Sequence, residues 1–421
     1  VNRIGCTLTL VLSTAVGIVM AQGEPLLGID PAISNIPLDQ VIRGNPQPNG
    51  IPSIGHEGDW LGWTPPTPAP QFVSQEEASE WIGDREPVVA LELNGEARAY
   101  PLQILTYHEI VNDSLGGFPV AVTFCPLCNS SIAFDRRAPL TAELRDALLA
   151  RNPDAPLIDL DQAFLDAYDF QNGELPDFVT STEVTFGTSG LLYNSNLLMF
   201  DSQGSTLWSQ ILGQGNVGIL TGVTLLNYPA QVISFEEFRA SYPGSVVLSR
   251  ETGFSRPYGN NPYPGYDDIG SPAFLFIGPD DDRLLAKSRV VSVELRGEAV
   301  AYPWEVLTAA RVVNDQIGDL PVVIFWKGGT GSALDSAVIA DGEDVGAVGV
   351  FSRNLDGRIL SFSWDGDSFI DAETNSRWNL AGQAIEGGLA GSQLQGLPHD
   401  NTLWFAWAAF RPETRIYGVA E

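Results

Sequence analysis

Apolar and polar residues alternate along "VVALELNGEARAY" (Val88–Tyr100), and the alternation breaks at Asn94-Gly95. Period-2 alternation marks a strand with one buried face, and an Asn-Gly pair supplies the two left-handed residues of a tight hairpin turn. Pro101 then suits the first turn of a helix over "PLQILTYHEIVND", with Leu102, Leu105 and Ile110 on one face and Gly116-Gly117 as the breaker. "FPVAVTF" is a continuous apolar run of the buried-strand type, and Cys125-Pro126-Leu127-Cys128 sits where it ends. "VTFGTSGLLYNSNLLMFD" and "STLWSQ" predict further strands, and "SFEEFRASYP" a closing helix.

The pattern then returns. Val88–Phe124 is matched by Val290–Trp326, with Tyr100-Pro101 over Tyr302-Pro303, Asn112-Asp113 over Asn314-Asp315 and Pro119 over Pro321. Ser234–Ser249 parallels Leu403–Gly418, and "GSTLWSQILGQG" more loosely parallels "TNSRWNLAGQA". Two copies are too few for a solenoid. The expected fold is therefore α+β: two related strand-rich lobes from an internal duplication, mainly antiparallel sheet.

The expected organisation is a signal peptide at 1–21, a leader at 22–84 containing "WTPPTPAP", and a first lobe at 85–250. That lobe carries an acidic insertion, 136–183, with a helix-like "LTAELRDALLARN"; it is expected on the surface, with a far shorter counterpart between Asp335 and Val348. A connector at 251–280, rich in aromatics, Pro and Gly, reads as packing and turn chemistry, and the second lobe spans 281–421.

The N-terminus changes the picture. Arg3, an apolar run from Cys6 to Met20 and a small residue before Gln22 have the layout of a secretory signal, and the run is short for a membrane span. The mature chain is expected to start near Gln22 and to work secreted or periplasmic, without stable membrane insertion after cleavage. The formal charge of −30 argues against nucleic-acid partners, because a phosphate backbone needs a basic face.

With Cys6 and Met20 removed, Cys125 and Cys128 are the remaining cysteines, Met199 the remaining methionine, and His56, His108 and His399 the histidines. A secreted disulfide scaffold uses more cysteines at longer spacing. The repeat acts as an internal control: His108 becomes Ala310, Glu109 becomes Arg311, Cys125 becomes Lys327 and Cys128 becomes Thr330, and Met199 falls near Ser361. The shared fold does not demand these ligand-type residues. Two thiolates at Cys-x-x-Cys spacing can hold one ion from a tight turn, and a histidine from a neighbouring helix would extend the site. The expected metal ligands are His108, Cys125 and Cys128, with Met199, His399 or Glu109 as the fourth. The ion is expected to be copper first and zinc second. The alternatives are a thiol–disulfide oxidoreductase using Cys125 and Cys128, and an interaction module with an inert disulfide. "NSSIAFD" after the cysteines reads as turn and strand, whereas thioredoxin-like sites open a helix. His56 is expected at the surface, and His399 in a loop capping backbone groups. No Gly-x-Ser-x-Gly elbow, phosphate loop or dinucleotide fingerprint is evident.

"YPLQILTYHEIVND", "VTFCPLCNSSIAFDR", "FGTSGLLYNSNLLMFD", "LWSQ" and "FSRPYGNNPYPGYD" resemble the bacterial and archaeal family catalogued as domain of unknown function 3179. The resemblance covers most of the mature chain and implies an extracytoplasmic protein with a shared fold. It brings no activity with it.

Overall fold

A computed structural model describes residues 28–45, 48–56, 66–204 and 206–419. The expected signal peptide lies outside them. Strands β1 (Pro87–Leu93) and β2 (Glu96–Pro101) form the expected hairpin, with Asn94 and Gly95 at φ 52° and 77°. Helix α1 (Leu102–His108) follows, but it stops earlier than the sequence pattern suggests. Glu109 turns left-handed at φ 57°, its N–H on the Leu105 carbonyl, and β3 (Ile110–Leu115) takes over. The β-branched Ile110-Val111 pair prefers a pleated surface. Gly116-Gly117, at φ 58° and 88°, then serves as a hairpin turn into β4 (Phe118–Cys125) rather than as a helix breaker. Strand β5 (Ser130–Asp135) pairs with β4 on its other side.

The run continues through β6 (Phe186–Tyr193), β7 (Asn196–Asp201), β8 (Gln231–Ser234), helix α2 (Phe235–Ser241) and β9 (Val246–Leu248). The second half presents β10 (Arg289–Leu295), β11 (Glu298–Pro303), α3 (Trp304–Ala310), β12 (Val312–Ile317), β13 (Leu320–Lys327) and β14 (Ala347–Ser352). It closes with β15 (Asp400–Leu403), α4 (Trp404–Phe410) and β16 (Arg415–Ile416). The sheet order β8-β1-β2-β9 recurs as β15-β10-β11-β16, and in each the last pair is parallel while the rest are antiparallel. The chain is thus strand-rich α+β with mostly antiparallel sheet.

Polar bridges recur with the strands. The Tyr100 hydroxyl donates to Asp113 at 2.7 Å, and that of Tyr302 to Asp315 at 2.9 Å. Asn112 grips both backbone groups of Phe186, as Asn314 does those of Phe362. Buried Trp208 donates its indole N–H to Asp201, and buried Trp378 does so to Asp371. These pairs put Met199 opposite Phe369, two residues before each aspartate, and not near Ser361 as the loose sequence match had it.

The halves interlock. Gln231 of β8 donates to the Val348 carbonyl on β14, and Asp400 of β15 accepts the Ser131 N–H of β5. One core cluster therefore holds Cys125, Cys128, Met199 and Trp208 together with Ala301, Leu403, Trp404 and Trp407. The acidic insertion has helices Ala142–Arg151 and Gln162–Asn172 beside a three-stranded sheet. It is not only a surface feature: Tyr168 and Gln171 are buried, and the Gln171 carbonyl accepts the Arg296 N–H at 2.7 Å. Its counterpart is the hairpin of Asn354–Leu355 and Arg358–Ile359, not the segment before Val348. The flanking arginines fix this, since Arg136 donates to the Val184 carbonyl and Arg353 to that of Leu360, while their N–H groups reach Pro119 and Pro321.

Candidate functional site

Cys125 ends β4 and pairs with Ser130, so Pro126–Asn129 must reverse the chain within one short loop. The Cys128 N–H closes it on the Cys125 carbonyl at 3.1 Å, and Asn129 takes the left-handed conformation (φ 52°) that lets β5 begin. The cysteines thus sit in a hairpin loop, not at a helix start, as the "NSSIAFD" pattern indicated. Strand β15 of the second half holds the loop from outside: Leu403 N–H and the Thr402 hydroxyl donate to the Cys128 carbonyl at 2.9 and 3.0 Å, and Asn129 Nδ2 to the Asn401 carbonyl at 3.0 Å.

Both thiols are free and buried. They face the Ser195 carbonyl, at 3.9 Å from Cys125 Sγ and 3.5 Å from Cys128 Sγ, and Asn196 Nδ2 lies 3.6 Å from Cys128 Sγ. The two thiols titrate unequally. Burial works against a Cys125 thiolate, yet the Cys128 thiol and the backbone N–H groups of Leu197, Cys128 and Leu127 outweigh it and bring Cys125 below the ordinary thiol range. Cys128 is pushed well up by burial and by the negative Cys125 beside it. Glu109 is also pushed well up, by burial and then by Cys125. The connector covers this end: the Tyr266 hydroxyl donates to the Leu127 carbonyl at 2.8 Å, and the Lys287 ammonium lies 3.2 Å from the Tyr266 ring centre. Burial lowers the Lys287 pKa to about 8, against the pull of Asp267, Asp268 and Cys128.

The other expected ligands are placed differently. His108 is buried with Nδ1 2.6 Å from the Pro52 carbonyl and Nε2 2.6 Å from the Tyr258 hydroxyl. A carbonyl only accepts, so Nδ1–H donates to Pro52 and Nε2 accepts from Tyr258, itself 2.5 Å from the Thr252 hydroxyl. Burial lowers its pKa to about 4, and both nitrogens are engaged with leader and connector rather than with the cysteines. Met199 is fully buried in β7 between Thr188 and Trp208, within the cysteines' core cluster. His399 precedes β15 and donates Nδ1–H to the Leu397 carbonyl at 2.9 Å, the backbone capping expected of it. His56 is not at the surface: it is fully buried, with Asn49 Nδ2 2.6 Å from Nε2 and the Thr67 N–H 3.2 Å from Nδ1. Among the described residues, no group of three or more His, Cys, Asp or Glu side chains could hold a metal ion.

Sequence reasoning missed Ser195, Asn196, Lys287 and Asp400. The first two had a signal, since "YNSN" is a hairpin turn whose Asn194 and Ser195 are both left-handed. Lys287 and Asp400 come from the other half of the chain and had none.

The profile described as "Protein of unknown function (DUF3179)" matches residues 48–414. The chain belongs to that family. No curated protein and no solved structure matches it. Among the described residues, no helix is long and apolar enough to cross a membrane.

Proposed function

We propose that this DUF3179 member binds one soft transition-metal ion, Cu(I) ahead of Zn(II), through the thiolates of Cys125 and Cys128, and handles it outside the cytoplasm. The observation that carries this reading is the Cys125 sulfur, paired with Cys128 in a tight loop and supported by three backbone N–H groups. N–H donors stabilise the thiolate, which is the ligating form. Two thiolates with no convergent imidazole or carboxylate among the described residues suit Cu(I), whereas structural zinc asks for four ligands. Met199, a soft thioether in the same core, is the third donor this reading prefers. The test is an anaerobic Cu(I) titration of reduced, full-length protein against a chelator of known affinity, with a zinc titration alongside. One tight Cu(I) per chain is expected. Absence of tight Cu(I) binding by the fully reduced protein sinks the proposal.

A second reading, thiol–disulfide exchange, is favoured by the unequal thiols, a lowered Cys125 to attack and a raised Cys128 to follow. Here an S–S bond would form between them while an acceptor disulfide takes two electrons and two protons. A Cys125–Cys128 potential far below that of exchange catalysts would exclude it.

The recurring strand order and polar bridges further support descent of both halves from one duplicated unit. Superposing β1–β4 on β10–β13 should bring Asp201 onto Asp371; a mismatch there would count against common descent. Secretion is tested by fractionation, where a full-length cytoplasmic product would count against it.

A further inference from the structure

A cavity of about 360 Å³ lies between the two halves and the acidic insertion, and it shares strands β5 and β15 with the cysteine loop. Its wall includes Tyr168 and Glu174 from the insertion, Asn227 from the first half, and His399, Asp400 and Trp407 from the second. The volume is at the lower end of the range for small-molecule sites.

The unpartnered buried polar atoms of this wall are of one kind. Asn227 Oδ1, His399 Nε2 and Asp400 Oδ2 are each shut off from solvent and without a hydrogen-bond partner. Since His399 commits its Nδ1–H to the Leu397 carbonyl, Nε2 carries a lone pair. The other Asp400 oxygen already accepts the Ser131 N–H. All three are therefore acceptors, and a buried acceptor left unpaired is costly. The nearest cation in the wall, Arg411, is already paired with Glu294 at 2.7 Å. That leaves Asp400 and Glu174 unbalanced, beside the aromatic faces of Tyr168 and Trp407.

We propose that this cavity binds a small organic cation bearing several N–H donors, of the alkylammonium class, with Asp400, His399 and Asn227 accepting its hydrogen bonds and Tyr168 and Trp407 flanking its charge. A metal ion is a poorer fit, because among the described residues no three imidazole, thiolate or carboxylate groups meet at a common point. The proposal does not rest on the copper reading, although Asp400 also holds the strand that follows the cysteine loop.

The test is calorimetric titration of the full-length protein with 1,4-diaminobutane, using 1,4-butanediol as the neutral control of equal length. Saturable one-to-one binding of the diamine is expected, with none for the diol. Asp400→Asn and the exposed Glu174→Gln should each weaken it at least tenfold, and Cys125→Ser/Cys128→Ser should leave it unchanged. Equal binding of diol and diamine, no diamine binding at all, or full affinity in both Asp400→Asn and Glu174→Gln would overturn the assignment. Glu174→Gln keeps the test sound should Asp400→Asn fold poorly.

Discussion

Strand β4 reaches Cys125 and pairs it with Ser130; strand β13 reaches Lys327 and pairs it with Ala347. Up to that point the two hairpins agree closely. Glu109 and Arg311 are both left-handed, at φ 57° and 64°, and their carbonyls accept the N–H groups of Phe124 and Trp326 at the same 2.8 Å. Beyond it they part. The first closes in the short Pro126–Asn129 loop with two buried sulfurs, and the second opens into a long segment, 328–346, so Thr330 is not a structural replacement for Cys128. Lys327 stays partly exposed and pairs with Glu237 at 2.7 Å, and Arg311 stacks over Trp326 at 4.2 Å. One backbone plan thus carries either a buried pair of thiols beside a buried carboxyl or a partly exposed pair of cations. The matching hairpin of the second half forms without thiols.

The largest effect should come from breaking the thiol pair. Cys125→Ser or Cys128→Ser should weaken Cu(I) binding at least a hundredfold in chelator competition, which is about 2.7 kcal/mol. Lys327→Ala, at the matched position of the other hairpin, should leave it unchanged. Retention of tight Cu(I) by both serine variants would place the ligands elsewhere.

The scaffold itself can be probed in both halves at once. Asn112 is buried and satisfies three backbone groups, those of Phe186 and the Ile54 carbonyl, whereas Asn314 is exposed and reaches Phe362 alone. Asn112→Ala should cost about 2–4 kcal/mol in denaturant unfolding and Asn314→Ala about 1 kcal/mol, because buried groups left unpaired lose more than solvated ones. Equal costs would mean that burial does not distinguish the two bridges.

Local patterns were legible where the chain's own chemistry decides the outcome. Asn94-Gly95 and the alternation around it specified a hairpin, and the polar "NSSIAFD" specified a strand after the cysteines. The helix from Pro101 was read too long because Ile110 and Val111 fit a helical face as well as a strand, and only pairing with β4 decides between them. The cysteine loop was legible as a pair, but its surroundings were not. His108 looked like a ligand because it lies on the helix near the cysteine strand and gives way to Ala310 in the repeat, yet its ring turns to Pro52 and Tyr258. Asp400 and Lys287 reach the site through the interlocking of the halves, a long-range contact that no local spacing encodes.

That interlocking yields the most specific effect. Strands β8 and β15 occupy matching places, each beginning just before a helix and touching the other half's sheet, with Gln231 at the start of one and Asp400 at the start of the other. The amide is neutral at every pH; the carboxyl is not. Burial raises the Asp400 pKa to about 6, above the roughly 3.9 of an unfolded aspartate. Below the unfolded value both states hold the proton and nothing is lost. As pH rises from about 4 to about 6, the unfolded chain releases its proton while the folded chain keeps it, so this group's contribution to stability declines and then levels off. The slope is at most about 1.4 kcal/mol per pH unit across that window. Asp400→Asn makes β15 resemble β8 and should remove this component, leaving the variant relatively more stable at pH 7 than at pH 4 when each is compared with wild type. Urea unfolding of both proteins between pH 4 and pH 7 measures it. A difference between variant and wild type that does not change with pH would show that folding does not raise the Asp400 pKa.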